Sequence, residues 1–393
     1  MAHRTLWRMV VALSGIAFFL AGPACSKKSA DIAWKADVEV VDGVKTVRNP
    51  ETPRYGDFAF NLVEDLAFGD EDNEAYLFPR GATLSIDNKG AFYICDYGNK
   101  RVQVFDREGR FVRTLGHVGQ GPGEYTFPSS VHVDADGNVY ITNGGRSLIV
   151  FSPDGIFRKN IAFKTFLSRA MLGLEGTIVG TIEPNPGESG GARHKLVQLG
   201  SDGESLRTLA EFPAFGVVND LVINHWYTDD LCFCPRSTDS LYYGYSLDYT
   251  VHVVDSGGRP LLAFSRAEDP VSISAEEKAL TRKGGIFTWS GVGDPEKTNL
   301  GMPGHRPFFS RFFSDDAGRL YVVRFRPITE KDVAARDVDV FSKDGFYLYR
   351  LTWPFLPQVI KDGFLYEVRQ DEDKGLTRIV RHRIKNWGDF RAQ

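Results

Sequence analysis

The 393-residue sequence predicts an all-β fold, a six-bladed β-propeller of four-stranded antiparallel blades whose ring is closed by an N-terminal strand. Two observations predict it. The first is composition: 29 Phe, 15 Tyr and 40 Gly suit pleated, half-buried surfaces joined by tight turns. The second is a recurring pair of hairpins, because self-similarity at a period of about 40 residues marks a repeat fold.

The first hairpin of a unit is clearest at Ser85–Asp96, His132–Asn143 and Phe313–Arg324, with turn glycines Gly90, Gly137 and Gly318. Weaker copies surround Gly176, Asp239–Ser240 and Gly363. A second hairpin follows in five of the units, turning at Gly109, Gly155, Gly203, Gly258 and Gly345. Gly after an acidic or small polar residue, flanked by alternating apolar residues, is a strong hairpin signal. Each unit is therefore a four-stranded meander. The sixth unit stops after three strands. Residues 36–47 and 57–69 both read as strands that would complete it. Circular repetition then hides the sheet edges.

Two insertions interrupt the pattern. Glu183–His194 is rich in Gly and Pro and reads as a loop. Residues 270–306 are longer. Within them Ser274 and Glu277 form a capping-box pattern that predicts a short helix over Ser274–Gly284.

The N-terminus carries Arg4 and Arg8, an apolar run from Val10 to Leu20, and then Ala-Gly-Pro-Ala-Cys ending at Cys25. A basic region, a short apolar core and small residues before a cut site read as an export signal. The run is short for a bilayer span. Cys25 followed by Ser-Lys-Lys resembles a bacterial lipoprotein signal, although Gly22 stands where that pattern carries Leu. The resemblance implies lipidation at Cys25, so that the membrane is met only through this anchor. The alternative is an ordinary soluble secreted or periplasmic protein. The expected organisation is a signal over 1–25, an N-terminal segment over 26–56 and the propeller over 57–393, in the cell envelope. The remaining cysteines, Cys95, Cys232 and Cys234, are odd in number and read as buried free thiols.

The stretch Asp96 to Gly109, Asp-x-Gly-Asn-x-Arg-Val-x-Val-Phe-Asp-x-x-Gly, and the stretch Gly119 to Pro128, Gly-x-Gly-Pro-Gly-Glu-Tyr-x-x-Pro, resemble the NHL-repeat propellers. The resemblance is closest to the secreted bacterial six-bladed proteins of that superfamily. It is strong over Gly81–Phe163 and weak over the third and fourth blades. It implies a function among binding scaffolds, lactone hydrolases and lyases, without choosing between them.

Several chemistries find little support. A formal charge of −4 over the whole chain gives no electrostatic case for nucleic acid. The glycines of Gly116–Tyr125 lead into Pro128 and a strand rather than a helix, which rules out a phosphate-binding P-loop. No Gly-x-Ser-x-Gly is present for a nucleophile elbow. His residues do not recur at matching blade positions, as a metal in the channel would require. His117 with Glu124 is a candidate acid–base pair, but a rim loop is the preferred reading. Gly69–Glu74 is acidic and oxygen-rich, as calcium prefers, but lacks EF-hand spacing and reads first as a solvated surface loop; no cofactor is expected, with calcium the one alternative.

Asp96, Asn99 and Arg101 read as a structural latch across a turn. Counting eight back from turn glycines reaches Ser129, Ser168 and Ser310, followed by Ser130, Arg169 and Arg311; Arg80 lies just before the first blade's equivalent. These positions begin innermost strands, so Arg80, Ser129, Arg169, Ser310 and Arg311 are expected at one mouth of the channel. Guanidinium groups there suit a carboxylate, phosphate or acidic sugar. The sequence thus favours a non-catalytic binding or scaffold protein for a protein partner or an anionic or saccharide ligand. The rival is a hydrolase or lyase acting in the channel with a bound metal.

Overall fold

Turn chemistry sets the architecture. In the computed structural model, which describes residues 34–79, 81–173, 176–185, 191–218, 221–284, 286–288, 299–371 and 375–391, every hairpin turn glycine read above lies at positive φ, from Gly90 (81°) to Gly363 (75°). That conformation is cheap only without a Cβ. Asp side chains accept the turn N–H groups, as Asp134 does from Asp136 and Asn138, so the chain reverses with its polar groups satisfied.

Six sheets result. Blade one is Ala82–Ile86, Phe92–Asp96, Arg101–Phe105 and Phe111–Leu115. Blade two runs from Pro128–Val133 to Phe157–Ala162, and blade three from Arg169–Leu172 to Ser205–Pro213. Blade four runs from Leu231–Pro235 to Pro260–Arg266, and blade five from Phe309–Ser314 to Tyr347–Trp353. Blade six is Val359–Lys361, Phe364–Asp371, Leu376–Ile384 and, antiparallel to the last, Leu62–Phe68. Successive blades touch, and the first strand of blade six meets that of blade one. First strands therefore surround the axis.

Of the two N-terminal candidates, Leu62–Phe68 closes the ring. The hairpin Asp37–Val41/Val44–Asn49 instead adds to the outer edge of blade four, parallel to Pro260–Arg266. Asp57–Phe58 adds likewise to blade five. The N-terminal segment thus runs round the outside of blades four, five and six. Buried Asn49 fastens it: its side chain donates to Ser265 O (2.9 Å) and Gly345 O (2.8 Å) and accepts from Tyr347 N (2.9 Å). Lys35–Gln393 makes up one compact unit. Residues 1–25, including Cys25, lie outside the described residues.

The core is laid between blades as aromatic and aliphatic layers. Tyr321, Val338, Leu351, Trp353 and Phe390 fill one such layer, and Phe68, Phe78, Phe92 and Phe105 another.

The long insertion folds back onto the connection between blades three and four. Its helix spans Ala275–Gly284. The capping box is reciprocal: Glu277 N donates to Ser274 Oγ (3.2 Å) and Ser274 N to Glu277 Oε2 (2.9 Å). Buried Glu277 also takes the Tyr227 hydroxyl at 2.5 Å and pairs with Arg306 at 2.9 Å. Ile286–Thr288 pairs with Leu221–His225.

Candidate functional site

The first strands of blades two and five each carry a register shift near their start, between Pro128 and Ser130 and between Phe309 and Arg311. Ser129 and Ser310 are the extra residues of these bulges. Bulges re-aim the side chain that follows, and here those are Ser130 and Arg311. Two of the repeated serines are tied to their own blades: Ser129 Oγ donates to Thr142 O (3.3 Å) and Ser168 Oγ to Thr181 O (3.2 Å).

Arg169 opens the first strand of blade three. Its Nη1 and Nη2 donate to Asp230 (3.2 and 2.5 Å), and Nη2 also to Leu231 O (2.6 Å). Burial lowers the pKa of this guanidinium, but Asp230 more than offsets that and the net direction is up. Arg311 shares the electrostatic field of Arg169, Asp230, Cys232 and Tyr97. Among the described residues it has no hydrogen-bonded or ion-paired partner, and its guanidinium sits 5.9 Å over the Phe313 ring. It is exposed yet flanked by protein, and this partial desolvation pulls its pKa below the ordinary value. Arg169 and Arg311 thus act on each other electrostatically, with one directly paired carboxylate, Asp230, beside them. Arg80 lies outside the described residues.

Next to Arg169 a cavity of about 350 Å³ opens between blades two and three. Ser129, Ser130, Thr142 and Ser168 line it with hydroxyls, beside Arg169 and Phe233, whose ring the Arg169 guanidinium overlies at 5.7 Å. Sequence reasoning reached the serines and arginines through their spacing. It missed Asp230, 61 residues from Arg169, and Phe233, because neither spacing nor periodicity links different blades.

The other candidates are placed as follows. Buried Asp96 accepts from Asn99 N (3.1 Å), Asn99 Nδ2 (2.9 Å) and Arg101 Nε (3.0 Å). Arg101 Nη2 continues to Glu74 O and Leu77 O, so the cluster ties blade one to the segment arriving from the closing strand. His117 Nε2 lies 2.8 Å from Glu124 Oε1, with the His side chain largely exposed. Glu124 also accepts from Gly121 N, so the pair closes a surface loop. In Gly69–Glu74, Asn73 accepts from Ala75 N and Asp70 from Asp72 N. Among the described residues no group of three or more His, Cys, Asp or Glu gathers as a metal site.

Residues 71–285 match the family described as a domain of unknown function, DUF4934. The chain belongs to this family. No curated protein matches it. Its fold is similar to the crystal structure of a protein from Bacteroides fragilis inferred to be exported, with a TM-score of 0.52 at 13% identity over 86% of this chain and 99% of that one. It is also similar to a DUF4221-family member from Bacteroides vulgatus, with a TM-score of 0.51 at 11% identity over 83% and 98%. A gluconolactonase from Xanthomonas campestris matches less well, with a TM-score of 0.40 at 14% identity over 81% and 96%. At such identities likeness shows the fold alone.

Proposed function

We propose that this chain is an exported, NHL-type propeller of the cell envelope, anchored by lipid at Cys25, that binds an anionic saccharide at the arginine mouth. The observation that carries the binding reading is Arg311. A guanidinium beside a second guanidinium, with no partner of its own, favours an incoming carboxylate. The neighbouring hydroxyls and the Phe233 ring are what sugar hydroxyls and a sugar ring face require.

Calorimetry with oligogalacturonate and with a neutral oligosaccharide of equal length tests this. The acidic sugar is expected to bind and the neutral one not. Arg311→Ala should weaken binding about tenfold or more, since a charge-assisted hydrogen bond contributes about 1.5–3 kcal/mol. Equal affinity of wild type and Arg311→Ala would overturn the reading. The anchor is tested separately: Cys25→Ser should move the protein from the membrane to the soluble envelope fraction, and unchanged fractionation would refute it.

A further inference from the structure

Two exposed phenylalanines stand at the edge of the cavity beside Arg169. Phe127 precedes the first strand of blade two and is 50% exposed; Phe166 precedes that of blade three and is 45% exposed. Both sit against the Gly144–Gly145 turn, and Gly145 and Leu167 line the cavity itself. Single exposed phenylalanines are common on protein surfaces, but these two are held in place. Phe127 N donates to Asn143 Oδ1 (2.9 Å), and Phe127 O accepts from Gly144 N (2.8 Å). Leu167 N, one residue after Phe166, donates to Gly145 O (2.9 Å). Gly145, at φ 68°, admits no side chain: a Cβ there would lie 2.3 Å from Leu167 O and 2.8 Å from Phe166 Cε2. The Arg146 guanidinium lies 5.6 Å over the Phe166 ring. Arg146 is exposed, and among the described residues it has no ion-paired carboxylate.

We propose that Phe127, Phe166 and Arg146 form a second saccharide subsite, which carries a chain out of the cavity over the edge of blade two, so that the ligand is an acidic oligosaccharide or polysaccharide rather than a single sugar acid. The proposal rests on the anionic-saccharide reading above.

The cavity, of about 350 Å³, is at the small end of the roughly 300–1,000 Å³ that buries a drug-sized ligand, so a longer chain has to leave it. The C–H face of a pyranose packs on an aromatic ring as other apolar surfaces do. A ring whose backbone is already fixed loses little freedom when it is covered. A guanidinium without a carboxylate of its own takes a sugar carboxylate through two parallel hydrogen bonds. Arg146 is such a group, in contrast to Arg169, which Asp230 holds. The turn brings cation and ring together: Arg146 follows Gly145 directly, and Phe166 lies beneath its guanidinium.

Calorimetry on the purified mature protein compares digalacturonate with hexagalacturonate, using wild type, the double variant Phe127→Ala/Phe166→Ala, and Arg146→Gln. Thermal melting checks that these variants, all at exposed side chains, remain folded. Wild type is expected to bind the hexamer about tenfold or more tighter than the dimer. The double variant should weaken hexamer binding about tenfold and Arg146→Gln should weaken it too, while each still binds the dimer within about twofold of wild type. Equal affinity of wild type for the two lengths, with binding still lost in Arg311→Ala, would overturn the second subsite and leave the anionic-saccharide reading standing. A length advantage that survives intact in the double variant would also overturn it. Binding of neither length would sink both.

Discussion

Phe68→Ala tests whether the N-terminal strand is an energetic part of the ring. Phe68 is the last residue of the closing strand and pairs with Ile379 of blade six. Its ring lies 5.3 Å from Phe92 and 5.0 Å from Phe105, both in blade one. It therefore spans the junction where the first and last blades meet. Removing a buried Phe side chain costs about 3–5 kcal/mol, counting lost transfer energy and the cavity left behind. Relaxation from the opposite side is limited, because Gly109 already stands against this ring: a Cβ there would lie 2.9 Å from Phe68 Cδ1. With an unfolding entropy near 2.1 cal/mol/K per residue over roughly 360 residues, about 4 kcal/mol lowers Tm by about 5 °C. Differential scanning calorimetry on the mature protein reads this directly. Val40→Ala is the control, since Val40 lies on the outermost strand and is 72% exposed; it should stay within about 0.5 kcal/mol. A Phe68→Ala melt within about 1 °C of wild type would refute the reasoning.

Three further outcomes concern buried side chains. Burial raises the Glu277 carboxyl, but Arg306, Tyr227 and Ser274 outweigh it and hold the pKa at about 2 instead of the ordinary 4.5. A lowered folded-state pKa gives stability that is complete above about pH 4.5 and lost from there down to about pH 2; amide exchange in Ala275–Gly284, corrected for intrinsic rate, should quicken across that window, and unchanged protection would contradict this. Burial raises the Cys95 thiol to about 12 and those of Cys232 and Cys234 further, so Ellman's reagent at pH 8 should find all three only after unfolding, and prompt labelling of native protein would show the burial is wrong. Asp96→Ala leaves the Arg101 guanidinium, 15% exposed, without its carboxylate, which should cost about 3–5 kcal/mol in urea unfolding while leaving Arg311-dependent binding intact; a loss under about 1 kcal/mol would argue against a latch.

What the sequence disclosed was local. Turn glycines announce themselves because a φ near +80°, as at Gly137 and Gly155, needs a residue type visible in one dimension. The Ser274–Glu277 capping box is legible for the same reason, its two hydrogen bonds spanning three residues. The role of the N-terminal strands was only half legible. Both candidate stretches alternate correctly, and the choice is made by partners such as Gly345 and Ile379, some 300 residues away. Spacing singled out Arg169 and Arg311. It gave no hint of the bulges at Ser129 and Ser310, which depend on pairing with a neighbouring strand. The His194–Asp229 contact joins the third strand of blade three, Arg193–Leu199, to the connection that follows that blade, and no periodicity predicts it.

The closing strand also fixes a time order. Leu62–Phe68 leaves the ribosome among the first folded residues, yet its partner Leu376–Ile384 is among the last. Until both exist, the sixth sheet has an open edge, and open edges recruit other chains. Contacts of such long sequence separation are slow to form. The ring is thus a structure that cannot be finished piecemeal during synthesis, and a chain that stays open until its last strand arrives is one that can still be threaded through a narrow pore.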